Sequence, residues 1–181
     1  MAPLVGAAAV EHDVRLATAA DAGSVASLLA AFRDWYRESD PVDASIRRSV
    51  DELLADERTE FLVAGDPAAG IAQIRFRHSL WTGVDDAWLE DLFVLDSARR
   101  AGVGLALARA SLERARRRGC RRLQLDCNER NLAALALYES LGFAPSTPGR
   151  WDGGRNLYLS VQLGSDSPPP PDAGASEQDS P

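Results

Sequence analysis

The stretch that most constrains this chain is Trp88-Leu-Glu-Asp-Leu-Phe-Val94, followed by a polar turn that reaches Arg99-Arg-Ala-Gly102-Val-Gly104. The first half is rich in aromatic and aliphatic residues and free of Gly and Pro, so it reads as a strand. A long helical pattern starts inside the second half. A strand that ends at a glycine turn and feeds a helix suits an anion. Turn N–H groups are available, glycine removes side-chain bulk, and the helix dipole favours negative charge there. The turn is not a dinucleotide fingerprint, because Leu107 stands where a third glycine would be needed. A Walker loop is excluded because the chain has no lysine. On its own, the Arg-x-x-Gly-x-Gly of Arg99, Gly102 and Gly104 also reads as a plain tight connection.

The 181 residues suit one domain with tails, and 45% hydrophobic with 26% charged residues is ordinary for a globular chain. A net charge of −7 argues against nucleic acid as the main partner and is compatible with a cationic ligand. Cys120 and Cys127 do not read as a disulfide framework. On one strand they would lie about 23 Å apart, so a reducing cytoplasm is the natural setting. No apolar run approaches a membrane span, and the first residues lack the basic start of a signal peptide.

Residues 1–11 read as a loose leader and 164–181 as a disordered Pro/Ser/Asp-rich tail. Between them, 12–163 form the domain. A strand at 12–17 precedes a helix capped by Asp21 that carries Val25, Leu28, Leu29, Phe32 and Tyr36. A second helix covers 44–55. Strands at 59–64, 71–80 and 87–95 form an antiparallel meander. The helix after Gly102 ends in arginines and Gly119. A strand at 121–127, parallel to its neighbour, a short helix capped by Asn131, and a hairpin of 144–148 with 155–163 complete the order β-α-α-β-β-β-α-β-α-β-β. This is an α/β domain with a mixed sheet.

With those elements in order, two motifs at the right separation resemble the GCN5-related N-acetyltransferases. One is Val94 with Arg99-Arg-Ala-Gly102-Val-Gly104. The other is Asn131-x-x-Ala134-x-x-x-Tyr138-x-x-x-Gly142-Phe143. The resemblance covers 12–163. It implies a mostly antiparallel sheet splayed between its fourth and fifth strands, with acetyl-CoA as co-substrate and no metal. It implies that the pantetheine arm lies in the gap and pairs with the backbone of Leu92, Phe93 and Val94. The N–H groups of Arg100, Ala101, Gly102, Val103 and Gly104 would take the pyrophosphate beside Arg99. Asn131 would touch the cofactor arm, or serve only as a helix cap. A bulge near Asp91 would aim an N–H at the thioester oxygen.

Acetyl transfer needs a neutral amine, and at pH 7 only about one alkylamine in 2,500 is neutral. It also needs a proton for the departing thiolate. The resemblance makes Tyr138 the acid; by pattern alone it is a core tyrosine. Glu90 and Asp91 are unusual in a strand that otherwise reads as core. Alternation sends them to opposite faces unless a bulge intervenes. Glu90 is the favoured proton acceptor, with Asp91 beside it, and the alternative is a salt bridge from this pair to Arg75 or Arg77. Polyamine acetyltransferases carry a similar Glu-Asp-x-Phe-Val stretch, which implies a small cationic amine as acceptor; a homodimer is common in the wider family. Competing readings are an acetyltransferase for a protein N-terminus or lysine, a non-catalytic acyl-CoA sensor, and a nucleic-acid protein using the arginines of 114–122. Cys127 reads as a buried thiol rather than a nucleophile. His12 and His78 lack metal-ligand spacing.

Overall fold

A computed structural model describes residues 13–148 and 156–162. The leader, the tail, His12 and the Trp151 turn lie outside the described residues. The elements follow the expected order: β1 (Val14–Leu16), α1 (Ala22–Trp35), α2 (Asp43–Leu54), β2 (Thr59–Ala64), β3 (Gly70–His78), β4 (Asp85–Val94), α3 (Val103–Arg117), β5 (Arg122–Asn128), α4 (Leu132–Ser140), β6 (Ala144–Pro148) and β7 (Asn156–Gln162). The strands form one sheet in the order β1-β2-β3-β4-β5-β7-β6. Only the β4–β5 pair is parallel, as a helical crossover through α3 requires. The last strand inserts beside β5 rather than at the edge, so β6 is outermost.

Strand alternation divides the core into two layers. On one face, Leu62, Ile74, Leu89, Leu123 and Leu125 pack against Val103, Leu107 and Leu112 of α3, with Tyr138 of α4 in the same cluster. On the other face, Phe61, Val63, Ile71 and Phe93 meet Val25 and Leu28 of α1 and Ile46 and Val50 of α2. The period-2 and helical patterns read from the sequence are therefore the two sides of real interfaces.

One local expectation changes. Asp21 makes no side-chain cap bond to α1. Its carboxylate accepts from the Thr18 N–H at 2.8 Å and from both Arg15 nitrogens at 2.6 and 2.8 Å, so it braces the preceding turn. The arginines at the far end of α3 are mostly engaged. Arg114 forms a two-pronged bridge to Glu60 of β2 at 2.6 and 2.7 Å. Arg118 donates to the Glu57 carbonyl at 2.9 Å and lies over the Phe76 ring. Arg122 pairs with buried Asp86 at 2.8 Å. The first two weld helix to sheet and the third ties β5 to β4, so these arginines serve the fold, in keeping with a helix whose last turn carries cations.

The sheet and α3 meet closely at Gly70. A Cβ there would lie 2.9 Å from Val103 Cγ1, 3.0 Å from Leu107 Cδ1 and 3.3 Å from the Phe93 carbonyl. Gly70→Val is expected to destabilise the fold by about 1–3 kcal/mol through overpacking. Urea unfolding monitored by tryptophan fluorescence measures it, and an unchanged midpoint would contradict this packing.

Candidate active site

The site begins where two strands stop being neighbours. β4 and β5 start as a parallel pair, with Arg121 N–H on the Asp85 carbonyl at 3.0 Å and register partners Ala87–Leu123 and Trp88–Gln124. Beyond these, β4 follows β3 to Val94 and β5 follows β7 to Asn128. The edges of 89–94 and 125–128 that would have faced each other border a gap. Backbone groups on such edges need partners, and an extended amide-bearing chain can supply them.

The bend has an identifiable cause. On β3, Ile74 pairs with Leu89 and Gln73 with Asp91, so Glu90 is an extra residue on β4. A bulge bends and twists its strand. It also changes which way side chains point. Trp88 and Glu90 are already on the face opposite Leu89, and the extra residue returns Asp91 to that face, opposite Gln73. Both carboxylates therefore lie on the α1/α2 side of the sheet. Glu90 is exposed and Asp91 half-buried. Burial, then the charges of Glu90 and Asp126, push the Asp91 carboxyl up to about 6. Among the described residues, Glu90 and Asp91 form no ion pair with Arg75 or Arg77; Arg77 stacks over Trp88 at 5.2 Å.

The end of α1 is stitched onto this site by aromatic contacts. Phe32 stacks on Phe93 at 5.0 Å between ring centres and meets Tyr36 at the same distance. Tyr36 is 60% exposed, yet its phenol is raised by partial burial and by Asp91, Cys127 and Asp126. Arg99 closes the corner. Its Nε donates to the Val94 carbonyl at 3.1 Å, it pairs with Asp96 at 2.7 Å, and it lies over Trp35 and Phe93. Its guanidinium thus holds the turn.

After that turn the backbone is left-handed at Arg100 (φ 62°) and Gly102 (φ 94°). The first is costly for a non-glycine residue, which marks the turn as strained. The first intrahelical bond of α3 is Ala106 N–H to the Gly102 carbonyl at 3.0 Å. The amides of Val103, Gly104 and Leu105 precede it and lie at the positive end of the dipole. Gly104 sits where α3, α4 and β4 converge: a Cβ there would touch Leu137 Cδ1 at 3.4 Å and lie 3.8 Å from the Leu92 and Val94 side chains. Parted strand edges, a strained turn and an open first helical turn fit a long cofactor with amides along its arm and a diphosphate at its bend.

Asn131 is the α4 cap, its Oδ1 accepting from the Ala134 N–H at 3.2 Å. Tyr138 is buried against Phe143, at 5.6 Å between ring centres. Burial raises its phenol well above the ordinary range, followed by Cys127, Asp126 and Tyr36. Its hydroxyl therefore feels Asp126 and Tyr36, which belong to the other face of the sheet. The buried Cys127 thiol is pushed up to about 11 by burial and Asp126, which leaves it a poor nucleophile. Among the described residues, no group of three or more His, Cys, Asp or Glu is arranged to hold a metal, and no helix is long and apolar enough to cross a membrane.

The exposed half of the α1/α2 face forms an open cavity of roughly 610 Å³. Arg75, Arg77, Trp88, Glu90 and Asp126 line it, with Arg58 and Asp56 at one side. Sequence reasoning passed over Asp126; the family resemblance placed Tyr36, with Trp35, Trp81 and Trp151, in or near the loops that shape the acceptor pocket, with local core as the alternative. The signal for Asp126 was available: on β5 it alternates with Leu125 and Cys127, so it faces away from the core, next to the gap. Tyr36 follows the end of its helix, and no pattern would aim it.

Residues 26–143 match the model of the Acetyltransferase (GNAT) family. The chain is 32% identical over 107 residues to the aminoglycoside N(6')-acetyltransferase type 1 of Salmonella typhimurium, covering 57% of this chain and 74% of that one. A solved structure from Arthrobacter sp. FB24 superposes with a TM-score of 0.70 at 32% identity, over 81% of this chain and 93% of that one. The yncA protein of Salmonella typhimurium, solved with acetyl-CoA, shares the fold at a TM-score of 0.67 and 16% identity, over 88% and 98% of the two chains. This chain belongs to the GNAT acetyltransferases. It is an acetyl-CoA-dependent N-acetyltransferase, as its family defines.

Gly104→Val is expected to weaken acetyl-CoA binding at least tenfold by closing the corner between α3 and α4. Calorimetric titration measures the affinity, with a thermal melt as folding control. Unchanged affinity would dissociate this corner from the cofactor.

Proposed function

We propose that this enzyme acetylates the primary amine of a small molecule that binds as an ammonium in the cavity beside the gap, by direct attack with both substrates bound. The observation that carries this reading is that Asp91 and Tyr138, on opposite faces of the sheet, both feel the Asp126 carboxylate beside the gap and are tuned in complementary ways. A carboxyl pushed up to about 6 is ionised at neutral pH yet still a useful base. A buried phenol raised above its ordinary range keeps its proton until a strong base is generated beside it.

Bound acetyl-CoA supplies an acetyl thioester whose carbonyl carbon accepts the amine. The first turn of α3 and the turn of 100–104 grip the diphosphate, with Arg99 bracing that turn rather than touching the anion. The backbone of Leu92, Phe93 and Val94 orients the arm, and the Asn131 amide supports it. Asp91 takes one proton from the ammonium, directly or through a water near Glu90. Burial and the bulge support Asp91 over Glu90 in this role, and Glu90, more exposed, attracts the ammonium. The bulged backbone offers an N–H to the acyl oxygen as negative charge develops there. As the new N–C bond forms and the C–S bond breaks, Tyr138 gives its proton to sulfur and regains one from nitrogen. One proton is released overall, through Asp91.

Acetyl-CoA turnover against a panel of amines, aminoglycosides and peptides tests the proposal. Stabilisation by acetyl-CoA without acetylation of any of them would favour a sensor instead. Tyr138→Phe is expected to lower kcat about 10²-fold while leaving acetyl-CoA affinity within about twofold. Equal turnover would remove the phenol from the mechanism.

Asp91 also makes a signed pH prediction. Its carboxyl is raised in the fold, so the charged form is the disfavoured one. kcat/KM should rise with pH through about 6, the ionisation of this group, and Asp91→Asn should lose both that limb and most activity. Stability runs the other way. The cost of ionised Asp91 is absent below the unfolded carboxyl range and complete above pH 6, so Asp91→Asn should stabilise the fold by roughly 1–2 kcal/mol at pH 8 and little at pH 3. Denaturation at both pH values checks the sign.

A further inference from the structure

The acceptor cavity is electrically ordered. Its β4–β5 wall, next to the gap, carries Glu90 and Asp126. Its β2–β3 wall carries Arg58, Arg75 and Arg77. Among the described residues, neither Arg58 nor Arg75 has a carboxylate within ion-pairing distance, and Arg77 has only the Trp88 ring. Asp56, the one carboxylate on that wall, accepts from the Arg58 N–H at 3.0 Å and the Thr59 hydroxyl at 2.9 Å and is the one negative charge there that Arg75 and Arg58 feel, so the wall keeps a cationic excess. Elsewhere in the same sheet the guanidiniums are matched, as with Arg114 on Glu60 and Arg122 on Asp86. In a chain of net charge −7, leaving three cations on one cavity wall is a local choice. A purely cationic acceptor would be repelled by it.

We infer that the acceptor is a short amine that also carries an anionic group, with Arg75 and Arg77 receiving the anion while Glu90 and Asp126 receive the ammonium. This rests on the transferase reading and adds the second recognition element of the same cavity. The register sets the scale. Arg75 lies opposite Trp88, and Glu90 is two residues further along β4, a diagonal of about 7–8 Å. Trp88 stands between the two charged positions and gives a methylene chain an apolar surface. A carboxylate or a phosphate on a chain of four or five carbons satisfies this geometry. The guanidinium fork accepts either one in a two-pronged fashion.

The experiment compares matched acceptors on the full chain with saturating acetyl-CoA: 5-aminopentanoate, 4-aminobutyl phosphate, 1,5-diaminopentane and 1-aminopentane. We expect kcat/KM for the better of the two anionic amines to exceed that for the diamine at least tenfold, and their ranking tells carboxylate from phosphate. Arg75→Glu should invert the preference toward the diamine while stabilisation by acetyl-CoA persists. Should that variant fail to fold, Arg77→Gln serves instead and should cut the preference severalfold. A diamine acetylated as fast as the anionic amines, or a preference untouched by both variants, overturns the inference and leaves the transferase reading standing. No acetylation of these four or of the wider panel, with acetyl-CoA still bound, overturns both.

Discussion

Everything in this molecule follows from one unfinished pairing. Sheets gain from continuous ladders, and β4 and β5 abandon theirs after Trp88–Gln124. The unmet hydrogen-bonding capacity of two strand edges would be costly if buried without a partner. The rest of the structure holds that opening in place. The bulge at Glu90 turns β4 toward β3, and β7 draws β5 the other way. α3 leads its amides to one end of the gap, and α4 carries Tyr138 to its side.

The two ends of α3 illustrate a division of labour. The C-terminal end is fastened by Arg114 to Glu60 and by Arg118 to the Glu57 carbonyl and the Phe76 ring. The N-terminal end makes few demands on the protein, since its first amides come before the first intrahelical bond. A helix fastened at its far end and packed at its start through Val103 on Gly70 presents its first amides to a ligand at little entropic cost, because no segment must be ordered when the ligand arrives. The sheet face is divided in the same way. Where α1 and α2 cover it, side chains are apolar and packed; where they stop, Arg75, Arg77, Trp88, Glu90 and Asp126 are left to meet an acceptor.

Much of this was legible beforehand. Element order and the glycine turn follow from local pattern, which a single chain displays; Tyr138 stood out only through the family resemblance, since by pattern alone it is a core tyrosine. The bulge was legible only as an implication of family resemblance, since nothing in Leu89-Glu-Asp-Leu92 says which residue is the extra one; the pairing with Gln73 and Ile74 decides it. Asp21 was misread because its bonding depends on Arg15, six residues back, as well as on its helix. Tyr36 and Asp126 reach the site through tertiary packing, from elements far apart in sequence. Arg99, by contrast, lay inside the recognised motif, yet its contacts with Val94, Asp96 and two rings are those of a brace.

The supernumerary residue on β4 carries a consequence for how such a chain can change. Suppose one codon were lost between Leu89 and Leu92. The ladder with β3 would become regular, alternation would run unbroken, and one carboxylate would stand where two now share a face. By the usual criteria of strand design the product would be the better-behaved sheet, and under the mechanism proposed above it would lack one of the two carboxylates that serve the ammonium. Drift toward a more perfect fold is therefore a route by which a lineage could lose this enzyme without losing the protein.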